Sequence, residues 1–374
     1  MGNDGGVSEP IDDVYLSLSE QPPSRRANVM AATGLAASLL LAVLTVVPAQ
    51  YAIEGPGPTF DTLSASDDEP LVEIKGATTY ESTGELRLTT VSVSNASSQR
   101  FTVGAVIEGF FSPARTVRPV EAVLGSADDQ RASEERSTQQ WISSQESATV
   151  SALEALGHEV PATISVVEVL AESNATGKLE VGDVLDAVDG KDLVSYTDLS
   201  DALAALQPGD AVTLTVTRQG EEQTVAFDLI DVEGVARMGI TVDPQFHPPI
   251  DVTVAINKVG GPSAGMMFAL AIMDQLTPAD ELNGARVAGT GVIDVDGQVF
   301  PIGGIAHKMF GAREAGADYF LAPVENCNEV VGHIPDGLDV YAVDTLDDAY
   351  AAIVAIGNND TSALPRCGVD NNNE

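Results

Sequence analysis

The sequence predicts an α+β multidomain chain with an N-terminal transmembrane helix, a small β-barrel accompanied by one helix, and a larger α/β domain towards the C-terminus. Three observations carry this. Residues 27–49 contain no charged side chain. Residues 160–231 run in the order strand, strand, helix, strand, strand, which describes a partly open barrel. From Asp251 a β-branched run passes through Gly260 and Gly261 into a segment that is apolar on nearly every side, including Met266, Met267, Phe268, Leu270 and Ile272. Such a segment is a buried helix.

Composition sets the outer bounds. The 374 residues suffice for two or three domains. Lys and Arg number 18 against 56 Asp and Glu, a formal charge of -38 that repels polyphosphates and excludes nucleic acid as a partner. With 44% hydrophobic residues the chain is too apolar to be disordered as a whole. The acidic surplus itself reads as a solubility or high-salt adaptation.

Taken in order, residues 1–26 form a polar tail and residues 27–49 an anchor long enough to cross the roughly 30 Å hydrocarbon layer. Arg25 and Arg26 precede the span, whereas Glu54, Asp61, Asp67, Asp68 and Glu69 follow it and the next basic residue is Lys75. The positive-inside rule predicts a single-pass protein of the cell membrane, N-terminus cytoplasmic and everything after Tyr51 outside. A cleavable signal peptide with Val47 and Ala49 before the cut is the competing reading.

Residues 50–158 are an extracytoplasmic β/α segment. LVEIKG and ELRLTTVSV read as two strands of a hairpin or sheet edge. A charged helix running on through Ala148, Val150 and Leu153 stops at Gly157. Residues 159–232 are the barrel and 233–357 the α/β domain, followed by a tail over 358–374. In an oxidising compartment Cys327 and Cys367 can pair and tie that tail down, worth about 4 kcal/mol on the chain-entropy argument; two unpaired thiols are the alternative.

Two residues of the α/β domain suggest chemistry. After a strand from Val252 to Ile256, the apolar helix is expected to begin near Pro262 and Ser263. A serine at a helix mouth suits an attacking alkoxide and the oxyanion it creates, but equally an N-cap or a phosphate site. On the helix from Ile305, 100° per residue puts Lys308 on the face of Ile305, Ala312 and Ala315, with His307 and Glu314 opposite. An inward lysine either snorkels its ammonium to water or becomes a neutral amine able to act as a base. His158, His247, His307 and His333 show no ligand spacing, so neither a metal nor another cofactor is expected.

LEVGDVLDAVDGKDL, with Leu179, Gly182, Asp183, Val184, Leu185, Asp189 and Gly190, resembles a bacterial PDZ domain, a fold that binds extended peptides at a sheet edge. By the family pattern the carboxylate-capturing loop should precede Ile164, where His158, Glu159, Val160, Pro161 and Ala162 lack its apolar-Gly character. GGPSAG (260–265), AGTGVID (288–294), VFPIGGIAHK (299–308), AREAGADYFLAP (312–323) and Asn326 resemble the proteolytic domain of Lon-type proteases. Anchor, PDZ and Lon-like domain together resemble the membrane-bound YlbL-type proteases. The resemblance implies Ser263 as nucleophile, Lys308 as general base, Thr290 orienting the lysine amine, and oxyanion donors at Ser263 and the Gly260–Gly261 turn.

The resemblance further implies a serine endopeptidase acting on exposed or unfolded polypeptides. The chain contains no G-x-x-x-x-G-K-[ST], so an ATPase module of its own is not expected. SQESATVSALEALG (144–157) resembles the first helix of the Lon-like domain, which would make the PDZ an insertion. A catalytically inactive, membrane-anchored PDZ adaptor is the alternative, and a homo-oligomer is left open.

Overall fold

The computed structural model describes residues 24–66, 69–94, 101–124, 127–255 and 260–368. The tails over 1–23 and 369–374, and Ile256 at the end of its expected strand, lie outside the described residues. Helix α1 (Arg25–Val46) is capped by the Ser24 hydroxyl and buries none of its residues. Its 22 residues span about 33 Å, so it is long and apolar enough to cross a membrane.

Strand β1 (Tyr51–Asp61) follows almost at once, then β2 (Val72–Lys75) and β3 (Glu85–Ser94). Helix α2 (Val103–Phe111) leads to β4 (Thr116–Pro119), and α3 (Ala127–Ala155) ends before Gly157, which has φ 82°. β2 and β3 do not pair with each other, contrary to the hairpin expectation. β3 pairs antiparallel with β1, while β2 pairs with β10 (Asp251–Val254) almost 180 residues further on.

The second sheet holds β5 (Ala162–Val169), β6 (Val184–Val188), β7 (Ala211–Arg218) and β8 (Glu221–Asp228), with helix α4 (Tyr196–Ala204) between β6 and β7. The Ser195 hydroxyl and Asp198 form a capping box that starts α4. A fifth strand, β9 (Ile240–Phe246), comes from beyond the expected 159–232 segment and completes the order β8–β7–β6–β5–β9.

The remaining elements are α5 (Gly265–Leu276), β11 (Arg286–Gly289), α6 (Ile305–Glu314), β12 (Tyr319–Pro323), β13 (Asp339–Val343) and α7 (Leu346–Gly357). Three of these strands join the early ones in a sheet of order β13–β12–β11–β3–β1–β4, parallel from β13 to β3 and antiparallel beyond. The PDZ-like sheet is therefore enclosed in sequence between strands of one larger sheet.

Helix α5 is the centre of the core, with Met266 to Ile272 fully buried. Trp141 and Ala148 of α3 cover one side, Leu86, Leu88 and Val287 of the sheet another, and Ile353 of α7 a third. Trp141 meets Phe268 edge to face at 5.4 Å. Cys327 and Cys367 form a disulfide. It pins the chain end, where Ala342 N–H donates to Pro365 O and Arg366 reaches Asp339 and the Tyr341 hydroxyl.

One polar group in this core lacks compensation. Asp274, on the last turn of α5, is 2% exposed, and neither of its carboxylate oxygens has a hydrogen-bond partner among the described residues. Burial, then the nearby charge of Glu281, pushes its carboxyl up to about 7. Glu281 receives a 2.8 Å hydrogen bond from the Tyr350 hydroxyl on one oxygen and has no partner on the other.

Candidate active site

Gly261, at φ 84°, turns the chain so that Pro262 and Ser263 emerge just ahead of α5. The helix begins at Gly265, two residues later than expected, and Ala264 at its N-cap supplies no side-chain cap. Ser263 therefore does not act as the cap. Its carbonyl instead accepts from Gly291 N–H at 2.9 Å and from the Thr290 hydroxyl at 2.9 Å. These bonds tie the serine turn to the segment after β11.

Lys308 arrives from α6, which starts at Gly304, where φ is 72°. The Val91 side chain lies where a Cβ at that glycine would sit, 2.9 Å away. The loop ahead of α6 is held by Asn326, whose Oδ1 accepts from Ile302 N–H while its Nδ2 donates to Ile302 O. Lys308 Nζ lies 2.8 Å from Ser263 Oγ and 2.9 Å from Thr290 Oγ1. The lysine is 3% exposed and the threonine fully buried. The ammonium does not snorkel, and burial brings its pKa down to about 7.

The threonine hydroxyl has a defined orientation in this geometry. Its hydroxyl proton is committed to Ser263 O, so towards Lys308 it presents only a lone pair. That fixes one N–H of a neutral amine and leaves the nitrogen lone pair for Ser263 Oγ. Thr290→Val should lower kcat/KM by up to about tenfold, the loss of one hydrogen bond to the neutral amine, with Thr290→Ser restoring most of it. Steady-state kinetics on the purified variants check this, and an unaltered rate in Thr290→Val would remove the role.

Ser263 and Lys308 open into a cleft of about 410 Å³ bounded by Pro58, Thr89, Thr90, Val91, Ser92, Gly260, Gly261 and Gly303. The pairing of β3 with β11 stops at Leu88 and Gly289, so the cleft runs beside β3 beyond that pairing.

Helix α3 adds two residues that the sequence reading did not single out. Ser144 Oγ donates to Pro262 O at 3.0 Å, and Ser137 O accepts from Gly261 N–H at 3.1 Å. The Gly261 N–H, an expected oxyanion donor, is thus engaged. Gly265 and Met266 N–H are likewise spent on Pro262 O and Gly291 O. His307, expected opposite Lys308, is buried as well. It is 7% exposed and its Nδ1–H donates to Ala114 O at 2.9 Å, because the loop after α2 covers that side of α6.

The PDZ-like sheet also differs from expectation. β5 is paired on both sides, with β6 and β9, so the stretch before Ile164 does not lead into an open edge. The terminal strand is β9, entered through Gly239 at φ 70°, where a Cβ would strike Ser173. Tyr196 at the start of α4 meets Phe246 at the end of β9 with ring centroids 6.4 Å apart.

Residues 233–355 match the family model of the Lon protease C-terminal proteolytic domain, and residues 133–229 that of the PDZ domain. Lon protease 1 of Sorangium cellulosum is 33% identical over 121 residues, 31% of this chain and 15% of that protein. Lon protease 1 of Bacillus subtilis is 28% identical over 187 residues, 46% of this chain and 23% of that one. Lon protease of Nitratidesulfovibrio vulgaris is 36% identical over 112 residues, 28% of this chain and 13% of that one. The chain thus spans less than a quarter of these relatives' length. Among solved structures, the PDZ domain of an SdrC-like protein from Listeria monocytogenes is 23% identical, covers 21% of this chain and 86% of its own, and has a TM-score of 0.21. The chain carries a proteolytic domain of the Lon type together with a PDZ domain.

Proposed function

We propose that the protein is a membrane-anchored serine endopeptidase that hydrolyses exposed or unfolded polypeptides with a Ser263/Lys308 dyad. The observation that carries this is the buried lysine nitrogen 2.8 Å from the serine oxygen, its pKa brought near neutrality. Neutral Lys308 takes the proton of Ser263 as Oγ attacks the peptide carbonyl. The resulting oxyanion is met by the backbone N–H of Ser263, because the N–H groups of Gly261, Gly265 and Met266 are engaged elsewhere and Pro262 has none. Lys308 then returns the proton to the leaving amine, giving an acyl-enzyme and the first product. In the second half, water gives a proton to Lys308 and attacks the ester carbon, and Lys308 passes that proton to Ser263 Oγ as the acyl–oxygen bond breaks, restoring the hydroxyl and the neutral amine.

Polypeptide fits the cleft because β3 can accept an extended segment as an added strand. The edge of β9 beside α4 offers the PDZ domain a second such place, suited to recruitment or gating. Helix α1 holds the enzyme in the cell membrane, and Arg25 and Arg26 at its N-terminal end support an extracytoplasmic active site.

The test is incubation of the full chain in detergent with an unfolded protein, without ATP, beside Ser263→Ala. Peptides released by the parent and not by the variant are expected. Equal release from both, or none from a folded parent over a range of unfolded proteins, would leave the adaptor reading instead.

A further inference from the structure

Helix α2 carries an apolar face that none of the described residues covers. Ile107, Phe110 and Phe111 are 43%, 64% and 83% exposed, whereas Val106 and Gly109 pack inward. A Cβ on Gly109 would stand 2.8 Å from Val117, so this helix is seated closely on the body and is not a loose segment. At 100° per residue, Val103, Ile107, Phe110 and Phe111 form one stripe about 100° wide, with Glu108 off it.

The position of the stripe relative to α1 identifies its occupant. Val103 N–H donates to Val47 O, Ala49 N–H donates to Phe101 O, and Thr102 bridges Pro48. The start of α2 is therefore bonded to the last residues of the apolar helix. Gly104 lies against the backbone of Leu44, where a Cβ would be 3.0 Å from the carbonyl oxygen. Gly104 sits about 70° around the helix from the stripe's centre and about 20° from Phe111 at its edge, so that edge of the stripe lies on the side on which α1 runs. Arg115 and Arg118 follow in the next loop and strand; each is ion-paired at its side, with Glu108 at 3.4 Å and Glu54 at 3.8 Å, yet each stays about half exposed and can turn further donors outward.

We infer that α2 is an interfacial helix whose Val103, Ile107, Phe110 and Phe111 stripe is buried in the outer leaflet of a lipid bilayer, with Arg115 and Arg118 at the headgroups. This rests on the reading that α1 spans a membrane. Lipid supplies the apolar surface that the stripe lacks, and partly exposed arginines suit anionic headgroups. Through the Ala114–His307 hydrogen bond the same segment abuts the helix that bears Lys308, which fixes the catalytic body against the bilayer and removes its freedom to swing on a tether.

The test uses the full chain reconstituted in vesicles of phosphatidylcholine and phosphatidylglycerol. Phe111→Trp and, separately, Leu39→Trp in α1 place a reporter, the signal of the buried Trp141 being subtracted. With dibrominated acyl chains, both reporters are expected to emit at short wavelength and lose most of their intensity. Quenching of Leu39→Trp with none of Phe111→Trp would overturn the inference and leave the anchor standing. If the unquenched Phe111→Trp were still blue-shifted, a second copy of the chain would cover the stripe instead. Quenching of neither reporter would remove the anchor reading and this one with it.

Discussion

Lys308→Met is expected to lower peptide-bond cleavage by about 10²- to 10⁴-fold, the contribution of a general base, while making the folded protein more stable at pH 6. Both effects come from one fact: the nitrogen is buried and its pKa is about 7 instead of the usual 10.5. Between those two values the unfolded chain binds a proton that the folded chain does not. Stability therefore rises with pH across that window, and below pH 7 the protein carries the full cost of a buried ammonium. Methionine removes that cost, a gain of up to about 4 kcal/mol at pH 6, offset in part by the hydrogen bonds lost to Ser263 and Thr290.

The parent's rate should follow the neutral amine, falling about tenfold per pH unit below 7 and levelling above it. A kcat/KM profile that stays flat down to pH 5 would exclude a neutral amine as base. Loss of activity with loss of stability in Lys308→Met would indicate misfolding.

Asp274→Asn should act on stability in a different pH window and leave cleavage unchanged. Burial and the charge of Glu281 push this carboxyl up to about 7 against the weaker opposing pull of the Ser82 hydroxyl, which is directed to Asp280 and leaves both Asp274 oxygens unpaired among the described residues. Its folded pKa lies above the ordinary value of 3.8, so the folded protein holds a proton that the unfolded chain releases. The contribution is fully present below about pH 4 and is lost as pH rises through 7. At pH 8 the charged carboxylate sits unpaired at the C-terminal end of a helix, where the dipole also opposes it. Asparagine relieves this and can donate to Glu281. We expect little change below about pH 4, a gain on the order of 1–2 kcal/mol at pH 5 and up to about 4 kcal/mol at pH 8, read from unfolding midpoints in detergent. Identical pH dependence of parent and variant between 5 and 8 would discard the account.

How far the fold could be read in advance depended on whether the signal was local. The inward aim of Lys308 follows from its spacing to Ile305 and Ala312, and α3 ends at the glycine that can adopt a left-handed turn. Helix α1 is legible because twenty-odd uncharged residues have few alternatives. Pairing partners were not legible. β2 is a short β-branched strand, and nothing in LVEIKG names Asp251–Val254 as its neighbour. The addition of β9 to the second sheet has the same cause.

At the candidate site, the types and order of Ser263, Thr290 and Lys308 were readable, whereas their supports were not. Ser137 acts through its main-chain oxygen, which carries no residue-type signature. His307 lies opposite the inward face of α6 and is nonetheless buried, because a loop nearly 200 residues earlier in the chain folds over it. A helical wheel describes one helix and contains no information on what is laid upon its other side.

The central sheet takes two strands from residues 51–94 and its far edge from residues 339–343, with the whole PDZ insertion made in between. A ribosome must therefore deliver some 250 residues after β3 before β13 can close that sheet. Until then Ser263 has no settled pocket, and for the 45 residues from Ser263 to Lys308 it has no base at all. If Ser263 and Lys308 are the proposed dyad, the order of synthesis itself keeps the nascent chain from cleaving anything before its fold is complete.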